Sequence, residues 1–356
     1  MNFQLKYIAF FLLILIVSCQ NGIEKENGYT KAVLKPSKID SLDTPEKVES
    51  FVRSIDSSLK DFKLRKFKDL NSGKYSNIRD SLTKILANKL QINKSFYKED
   101  FDNNGFTDLL ITGDDYRPHD INTTIYVNTL ILMNYGNDSI NIHLLNKNRF
   151  PLPIPEITLY KNQPFIKLYE VESRNWENVK VKDSSITTLT NKFDNFIEYN
   201  KQPSNHSIES IEFYTSGCMG ICPVYKLIIN SDRTATFLAK GLNFNKTINE
   251  IIVAIDNDRV GDVYGSYKGK IKEVDYNKLI NTLNYIDFEN LQDDYGVSWT
   301  DDREGELKIT YNNGKVKHIE DYGMVGTYGL KAIYEQFAAL RFNQEWQEVP
   351  EPESKK

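Results

Sequence analysis

The spacing of apolar residues predicts two helices at the start of the folded chain. Thr44-Pro45 is typical of a helix start, with a capping side chain before a proline in the first turn. Apolar side chains then recur at helical intervals, at Phe51, Ile55, Leu59 and Phe62. A second stripe with the same period extends from about Ser76 to Leu90.

From Ser95 onward the apolar period changes to two, which predicts strands. The predicted strands are FTDLLITG, TLILMNYG, INIHLLN, EITLYKNQPFIKLYEV and ITTLTNKFDNFIEYN. Lys161-Asn162-Gln163-Pro164 predicts a turn inside the fourth, which makes it a hairpin. The first region is therefore predicted to be two helices followed by a meander.

A second region has the same order of strands and helices. Its strands are IESIEFYT, VYKLIIN and TATFLAK, followed by a helix over about 274–285. ELKITYNNGKVKHIEDY predicts a hairpin, because Asn313-Gly314 suits a type I′ turn. A last helix is predicted from Tyr328 to about Phe342. The fold class is α+β, with two small domains, each a mainly antiparallel sheet packed with helices.

The N-terminal segment MNFQLKYIAFFLLILIVSC has one charged residue before an apolar run too short for a comfortable transmembrane helix. Its end, Ile16-Val17-Ser18-Cys19, resembles the lipobox of bacterial lipoproteins. The resemblance implies a signal peptide over residues 1–18, lipidation of Cys19 and, because Gln20 follows, the outer membrane of the cell envelope. The alternatives are a signal anchor that stays attached, or cleavage elsewhere.

The composition of the chain after Cys19 predicts a tether, two domains and a C-terminal tail. Residues 19–43 are polar with scattered Gly and Pro and predict a flexible tether. The two α+β domains are predicted at 44–200 and 208–349, and residues 350–356 are a disordered tail. The net charge of −4, with no dense Lys/Arg block, argues against nucleic acid as a partner. The membrane, contacted through the N-terminal lipid, is the partner that the sequence indicates, and a protein or small-molecule partner is left open.

The stretch DFDNNGFTD contains candidate ligands for a hard cation. Oxygen-bearing side chains occupy positions 1, 3, 5 and 9, and the carbonyl of position 7 would complete the set; these residues are Asp100, Asp102, Asn104, Asp108 and Phe106. Such an alternation is what Ca²⁺ requires. The loop is similar to those of FG-GAP and VCBS-type repeats, which read D-x-D-x-D-G-x-x-D-L and imply calcium as a cofactor.

Two departures limit that resemblance. Asn104 replaces the third aspartate, which lowers the expected affinity, and the pattern occurs once, whereas a propeller needs several blades. The alternative is an Asx-rich turn whose side chains bond their own backbone without an ion.

Cys218 and Cys222 are the two thiols that remain once Cys19 is lipidated. An exported protein is in a compartment where disulfides persist. In a helical turn the two Cα atoms would be about 6 Å apart, within disulfide range, and Pro223 would end that turn. We predict a structural disulfide that closes a tight loop before a strand.

Two other uses of the cysteines stay open. Cys-x₃-Cys-Pro also occurs in thioredoxin-like copper-delivery proteins, in which two thiolates and an imidazole bind copper, and His318 would be the third ligand here. Thiol–disulfide exchange would instead require a nearby cation to lower a thiol pKa, and Lys226 is the nearest in sequence.

The segments GCMGICPVYKLII, YKGKI, IDFENLQDDY and IEDYG resemble a family of bacterial domains of unknown function that opens with G-C-x-G-x-C-P-x-Y. The resemblance covers about residues 208–342. It implies an exported, often lipid-anchored domain and supplies no reaction.

These patterns together favour a lipid-anchored cell-envelope protein of unknown specific activity with a non-catalytic binding or scaffolding role. No residue is predicted to be catalytic, since the common nucleophile and phosphate-binding motifs do not occur. The alternatives are an envelope thiol-redox or copper-handling protein that uses Cys218 and Cys222, and calcium-dependent ligand binding by the first domain.

Overall fold

The structure, a computed structural model, describes residues 30–70, 78–116, 125–146, 152–171, 184–245, 260–297 and 299–350. Cys19, the predicted signal peptide and nearly all of the predicted tail lie outside these residues. The described chain mixes four α-helices with mostly antiparallel sheets, which confirms the α+β class. None of its helices has the length and apolar character needed to cross a membrane.

The first sheet has its strands in the order β1-β3-β4-β5, with β2 also paired to β3. The strands are β1 Lys63–Leu64, β2 Phe96–Glu99, β3 Asp108–Tyr116, β4 Ile125–Asn134 and β5 Ile140–Leu144. Helix α1, Pro45–Ile55, starts at the predicted cap, where Thr44 accepts a hydrogen bond from the Lys47 N–H. Its buried side chains share a core with strands β3 and β4.

Helix α1 ends earlier than its apolar stripe suggested. The side chain of Asp56 accepts a hydrogen bond from the Ser58 N–H at 2.7 Å and begins a separate 3₁₀ turn. Such a local side-chain bond competes with the helical ladder. Leu59 and Phe62 are nevertheless buried, 4% and 0% exposed, so the stripe correctly marked core residues.

The predicted tether to residue 43 is shorter in the structure. Ile39 and Leu42 are 0% and 6% exposed and belong to the same core as α1. The side chain of Asp40 accepts hydrogen bonds from the Ser37 N–H and the Thr107 hydroxyl, which holds this segment against the sheet. The sequence pattern missed the segment because it contains two isolated apolar residues and no period.

The predicted meander of the first region is instead two sheets. The second has the order β6-β7-β8-β9 and lies beside α2, Ile78–Leu90. Its strands are β6 Ile154–Tyr160, β7 Gln163–Val171, β8 Ser184–Lys192 and β9 Asn195–Glu198. Pro153 and Pro155 have no N–H to donate, which opposes pairing of this segment with β5.

Strands β8 and β9 form a hairpin where the sequence predicted one strand. The chain reverses at Phe193 and Asp194, whose φ angles are 55° and 58°. The turn has no glycine and no proline, so the strongest turn signals were absent from it. The turn predicted between β6 and β7 does occur, at Lys161 and Asn162.

In the described part of the chain the third sheet has eight strands, in the order β14-β16-β15-β10-β11-β12-β13-β17. All neighbours are antiparallel except β14 and β16. The strands are β10 Ile208–Thr215, β11 Val224–Asn230, β12 Thr234–Gly241, β13 Gly265–Lys270, β14 Asp294–Tyr295, β15 Glu304–Tyr311, β16 Lys315–Tyr322 and β17 Gln347–Val349.

Two helices, α3 Glu273–Tyr285 and α4 Tyr328–Asn343, share a core with this sheet. The inward-facing residues predicted for the last helix are all buried: Leu330, Ile333, Tyr334, Phe337 and Leu340. Phe337 stacks on Phe213 of β10, with ring centroids 4.4 Å apart and planes 7° from parallel.

The turn between β15 and β16 is one residue longer than predicted. Tyr311 pairs with Lys315, and the three residues between them all have positive φ angles. The carboxylate of Glu209 accepts hydrogen bonds from the N–H groups of Asn313 and Gly314, at 2.6 and 3.2 Å. These two hydrogen bonds join the loop to the neighbouring strand β10 and stabilise its three-residue form.

The first and second regions contact each other at the N-terminus of α4. The carboxylate of Glu198, the last residue of β9, accepts hydrogen bonds from the N–H groups of Tyr328 and Gly329, at 2.7 and 2.8 Å. Tyr328 is 3% exposed, and its hydroxyl donates to the Leu145 carbonyl at 2.8 Å. The helix that covers the third sheet is therefore capped by a residue of the first region.

Replacement of Glu198 by alanine is expected to lower the free energy of unfolding by about 1–2 kcal/mol, because two backbone donors at a helix start lose a charged acceptor. Urea unfolding followed by circular dichroism measures this loss. Glu198→Gln, which keeps one acceptor oxygen, should lose less. Equal stability of the alanine variant and the original protein would show that the cap contributes nothing.

Candidate functional site

The acidic loop, residues 100–108, brings three carboxylates together between β2 and β3. One oxygen each from Asp100, Asp102 and Asp108 lie within 4.8 Å of one another. Gly105 has a φ of 86°, which lets the chain reverse, and its N–H donates to Asp100 at 2.9 Å. The loop therefore gathers carboxylates from both of its ends.

The carboxyl group of Asp108 is the most deeply placed of the three. Asp108 is 0% exposed and accepts hydrogen bonds from the N–H groups of Phe101 and Asn134, at 2.8 and 2.7 Å. Burial raises the pKa of Asp108 to about 8 and that of Asp102 to about 6, and the neighbouring carboxylates add to both shifts. Three like charges this close favour neutralisation by protons or by a cation.

The side chain of Asn104, a predicted oxygen ligand, takes part in hydrogen bonds within the loop. Its side-chain oxygen accepts a hydrogen bond from the Phe106 N–H at 2.7 Å. Its amide group donates to Asp102 at 3.0 Å and to the Asn134 carbonyl at 2.9 Å. These bonds are those expected of an Asx-rich turn, and the three aspartates also fit Ca²⁺ in donor type and charge. A role for the Phe106 carbonyl stays a prediction.

The chain that leads from the N-terminus lies across this loop. Asn103 donates to the Thr30 carbonyl at 3.0 Å and accepts from the Ala32 N–H at 2.6 Å. The Lys35 N–H donates to the Gly105 carbonyl at 2.7 Å. The first residues that the structure describes are therefore bonded to the acidic loop, a contact that no sequence pattern indicated.

The cysteine loop, residues 216–223, joins β10 to β11. Cys218 and Cys222 form a disulfide, with Cα atoms 5.6 Å apart. The predicted helical turn is absent; the loop is irregular and is held by hydrogen bonds from the Gly220 N–H to the Cys218 carbonyl and from the Met219 N–H to the Asp301 carbonyl. A short closed ring satisfies the disulfide distance without helical hydrogen bonding.

The residues that would support copper binding or thiol exchange do not lie beside the cysteines. His318 on β16 pairs with Lys308 on β15, whereas β10 reaches the cysteine loop at the Thr215–Gly305 pair, three residues further along. His318 is therefore three residues along the sheet and two strands across it from the cysteine loop, a separation of at least 10 Å, roughly estimated from strand geometry. Lys226 forms an ion pair with Glu212 at 2.8 Å on the sheet surface.

A cavity of about 280 Å³ lies beside the cysteine loop. Thr215 and Pro223, which flank the disulfide, line it, and the Thr215 hydroxyl donates to the Pro223 carbonyl at 2.8 Å. Leu144 and Asn146 of the first region form part of its wall. The cavity is thus formed by both regions, and its residues come from positions that are far apart in sequence.

The comparisons with known proteins bear on the second region alone. A domain of unknown function, DUF6438, is found in residues 209–341, which confirms that the second half of the chain resembles a domain of unknown function. The opening motif predicted for that family stays a prediction. No curated protein and no solved structure matches the chain. The cysteine loop and most of the cavity lining fall within this domain, whereas the acidic loop lies outside it.

Proposed function

We propose that the protein is a lipid-anchored protein of the bacterial cell envelope, at the outer membrane, and that it binds a ligand rather than catalysing a reaction. The lipobox at Cys19 supports the anchor. The described chain begins at Thr30, eleven residues after Cys19, and so short a segment extends at most about 40 Å. The folded body would therefore stay close to the membrane surface.

The cavity beside the cysteine loop is the observation that carries the binding role. Small-molecule sites are typically concave and have volumes of about 300–1,000 Å³, and this cavity, at about 280 Å³, is slightly smaller than that range. Its lining combines a buried aromatic surface with a few polar groups, as such sites do.

The anchor is tested by fractionating bacteria that express the full chain. The protein should sediment with membranes and require detergent for release, whereas Cys19→Ala should lose lipid attachment. The matched control is the Cys218→Ala/Cys222→Ala variant, which removes both other cysteines and should remain anchored. Membrane retention of Cys19→Ala at the level of the original protein would instead indicate an uncleaved signal anchor.

Calcium binding by the acidic loop is a second candidate, favoured by its three converging carboxylates. A bound Ca²⁺ would offset their repulsion and stabilise the loop against which residues 30–35 lie. Calorimetric titration with Ca²⁺ should give heat and a higher melting temperature, and Asp102→Ala should abolish both. A titration without heat would leave the Asx-rich turn as the full account of the loop.

In EDTA, the protein should become less stable as the pH rises from 5 to 8. The folded Asp108, with its pKa raised from 3.8 to about 8, holds a proton that the unfolded chain releases, so stability falls with pH across this interval. Melting temperatures at several pH values measure the slope. Asp102→Asn, which removes one repelling charge, should flatten it, and a rising melting temperature would contradict the assignment.

A further inference from the structure

The cavity beside the cysteine loop carries an excess of positive charge. Arg303, Lys331 and Arg341 line it, together with a single carboxylate, Glu335, which is exposed. Within the part of the chain that the structure describes, none of the three cations has an ion-pair partner within 4 Å. Three basic groups therefore share one small cavity with little local compensation.

Neutral groups hold two of these cations in place. Arg341 lies over the Tyr225 ring at 4.7 Å and donates to the Asn243 side-chain oxygen at 3.1 Å. The Lys331 ammonium donates to the Leu144 carbonyl at 3.0 Å. Burial lowers the pKa of both Lys331 and Arg341, because removing a cation from water disfavours its charged form. An anion in the cavity would offset this cost.

The hydroxyl of Tyr225 is a neutral hydrogen-bond donor in the lining of the same cavity. Its side chain is 2% exposed and lines the cavity, and its hydroxyl has no hydrogen-bond partner among the described residues. A ligand oxygen in the cavity would supply the acceptor.

We propose that this cavity binds a small organic carboxylate, with its anionic group between Arg303 and Arg341 and its apolar part against Met324 and Ala338. The planar fork of a guanidinium matches a carboxylate in geometry and charge. The apolar remainder of the lining favours an organic ligand over a bare inorganic anion, and the volume limits it to a small molecule. The inference supplies a ligand class for the binding role proposed above and rests on that role.

The test uses the full-length chain in detergent and isothermal titration with benzoate, a small carboxylate with an apolar body. Benzoate should bind saturably, and benzamide, its neutral counterpart, should bind about tenfold more weakly or not at all. Arg303→Gln should weaken benzoate binding by about tenfold or more, because it removes a charged donor. Lys240→Gln, the same charge change at an exposed position outside the cavity, should leave the affinity unchanged.

Several outcomes would overturn the inference. They are benzoate heats that do not saturate, an affinity that Arg303→Gln leaves unchanged in a variant with normal melting, and binding of inorganic phosphate in place of benzoate. Preferential binding of benzamide would also overturn the carboxylate assignment, although the general binding role would stand. Fractionation of the bacteria that produce the protein tests the lipid anchor separately, so a failure of the anchor proposal can be told apart from a failure of carboxylate binding.

Discussion

Replacing Phe337 by alanine is expected to lower the free energy of unfolding by about 3–5 kcal/mol. The Phe337 ring is 0% exposed and stacks on Phe213, so its removal takes apolar surface and a close aromatic contact from the centre of the largest core. The eight-stranded sheet and α4 meet at this pair, so the surrounding chain has little freedom to fill the space that the missing ring would leave. Urea unfolding followed by circular dichroism measures the loss.

Val274→Ala is the matched control for this prediction. Val274 is also on a helix that packs against the third sheet, but it is 71% exposed, so its truncation should change stability by less than about 0.5 kcal/mol. A loss below about 1 kcal/mol for Phe337→Ala would mean that the helix and the sheet do not share the core described here.

Asp321→Ala should be nearly as damaging, with an expected loss of about 3 kcal/mol or more, because several buried donors lose one acceptor. Asp321 is 0% exposed, and its carboxylate accepts hydrogen bonds from the N–H groups of Val325 and Gly326, at 3.1 and 2.9 Å. The Tyr334 hydroxyl donates to the same carboxylate at 3.0 Å. Thermal and urea unfolding both measure this change.

The same carboxylate positions one wall of the cavity. Residues 323–325, which follow Asp321, line the cavity, so the alanine variant should also bind benzoate more weakly at a temperature where it remains folded. Asp321→Asn keeps one acceptor oxygen and the side-chain shape, and should lose less in both measurements. An alanine variant as stable as the original protein would show that these hydrogen bonds are not needed for the turn.

The local spacing of apolar residues predicted the individual helices and strands of this fold better than it predicted how they assemble. The period of α4 correctly identified all five of its predicted buried residues, because a helix face that covers a sheet must be apolar throughout its length. The alternation in β10 to β12 was equally clear. The Phe193–Asp194 turn and the packing of Ile39 and Leu42 were missed, because each depends on tertiary contacts rather than on a repeated spacing.

Of the two candidate sites, one could be predicted from local sequence spacing and the other could not. The acidic loop was visible in sequence because its three carboxylates lie within nine consecutive residues, although the orientation of the Asn104 side chain was not. The cationic cavity had no local signal, since Arg303, Lys331 and Arg341 are separated by 28 and 10 residues and meet only through the fold. Sequence spacing identifies sites built within one loop and misses those assembled across several elements.

The mass of the N-terminal peptide shows whether this protein is lipid-anchored in the cell envelope. The protein is purified from bacterial membranes, digested, and its N-terminal peptide is identified by mass spectrometry. We expect a peptide that begins at Cys19 and carries covalently attached acyl chains. An N-terminal peptide that still contains residues before Cys19, or one that begins at Cys19 or later with no lipid, would contradict it.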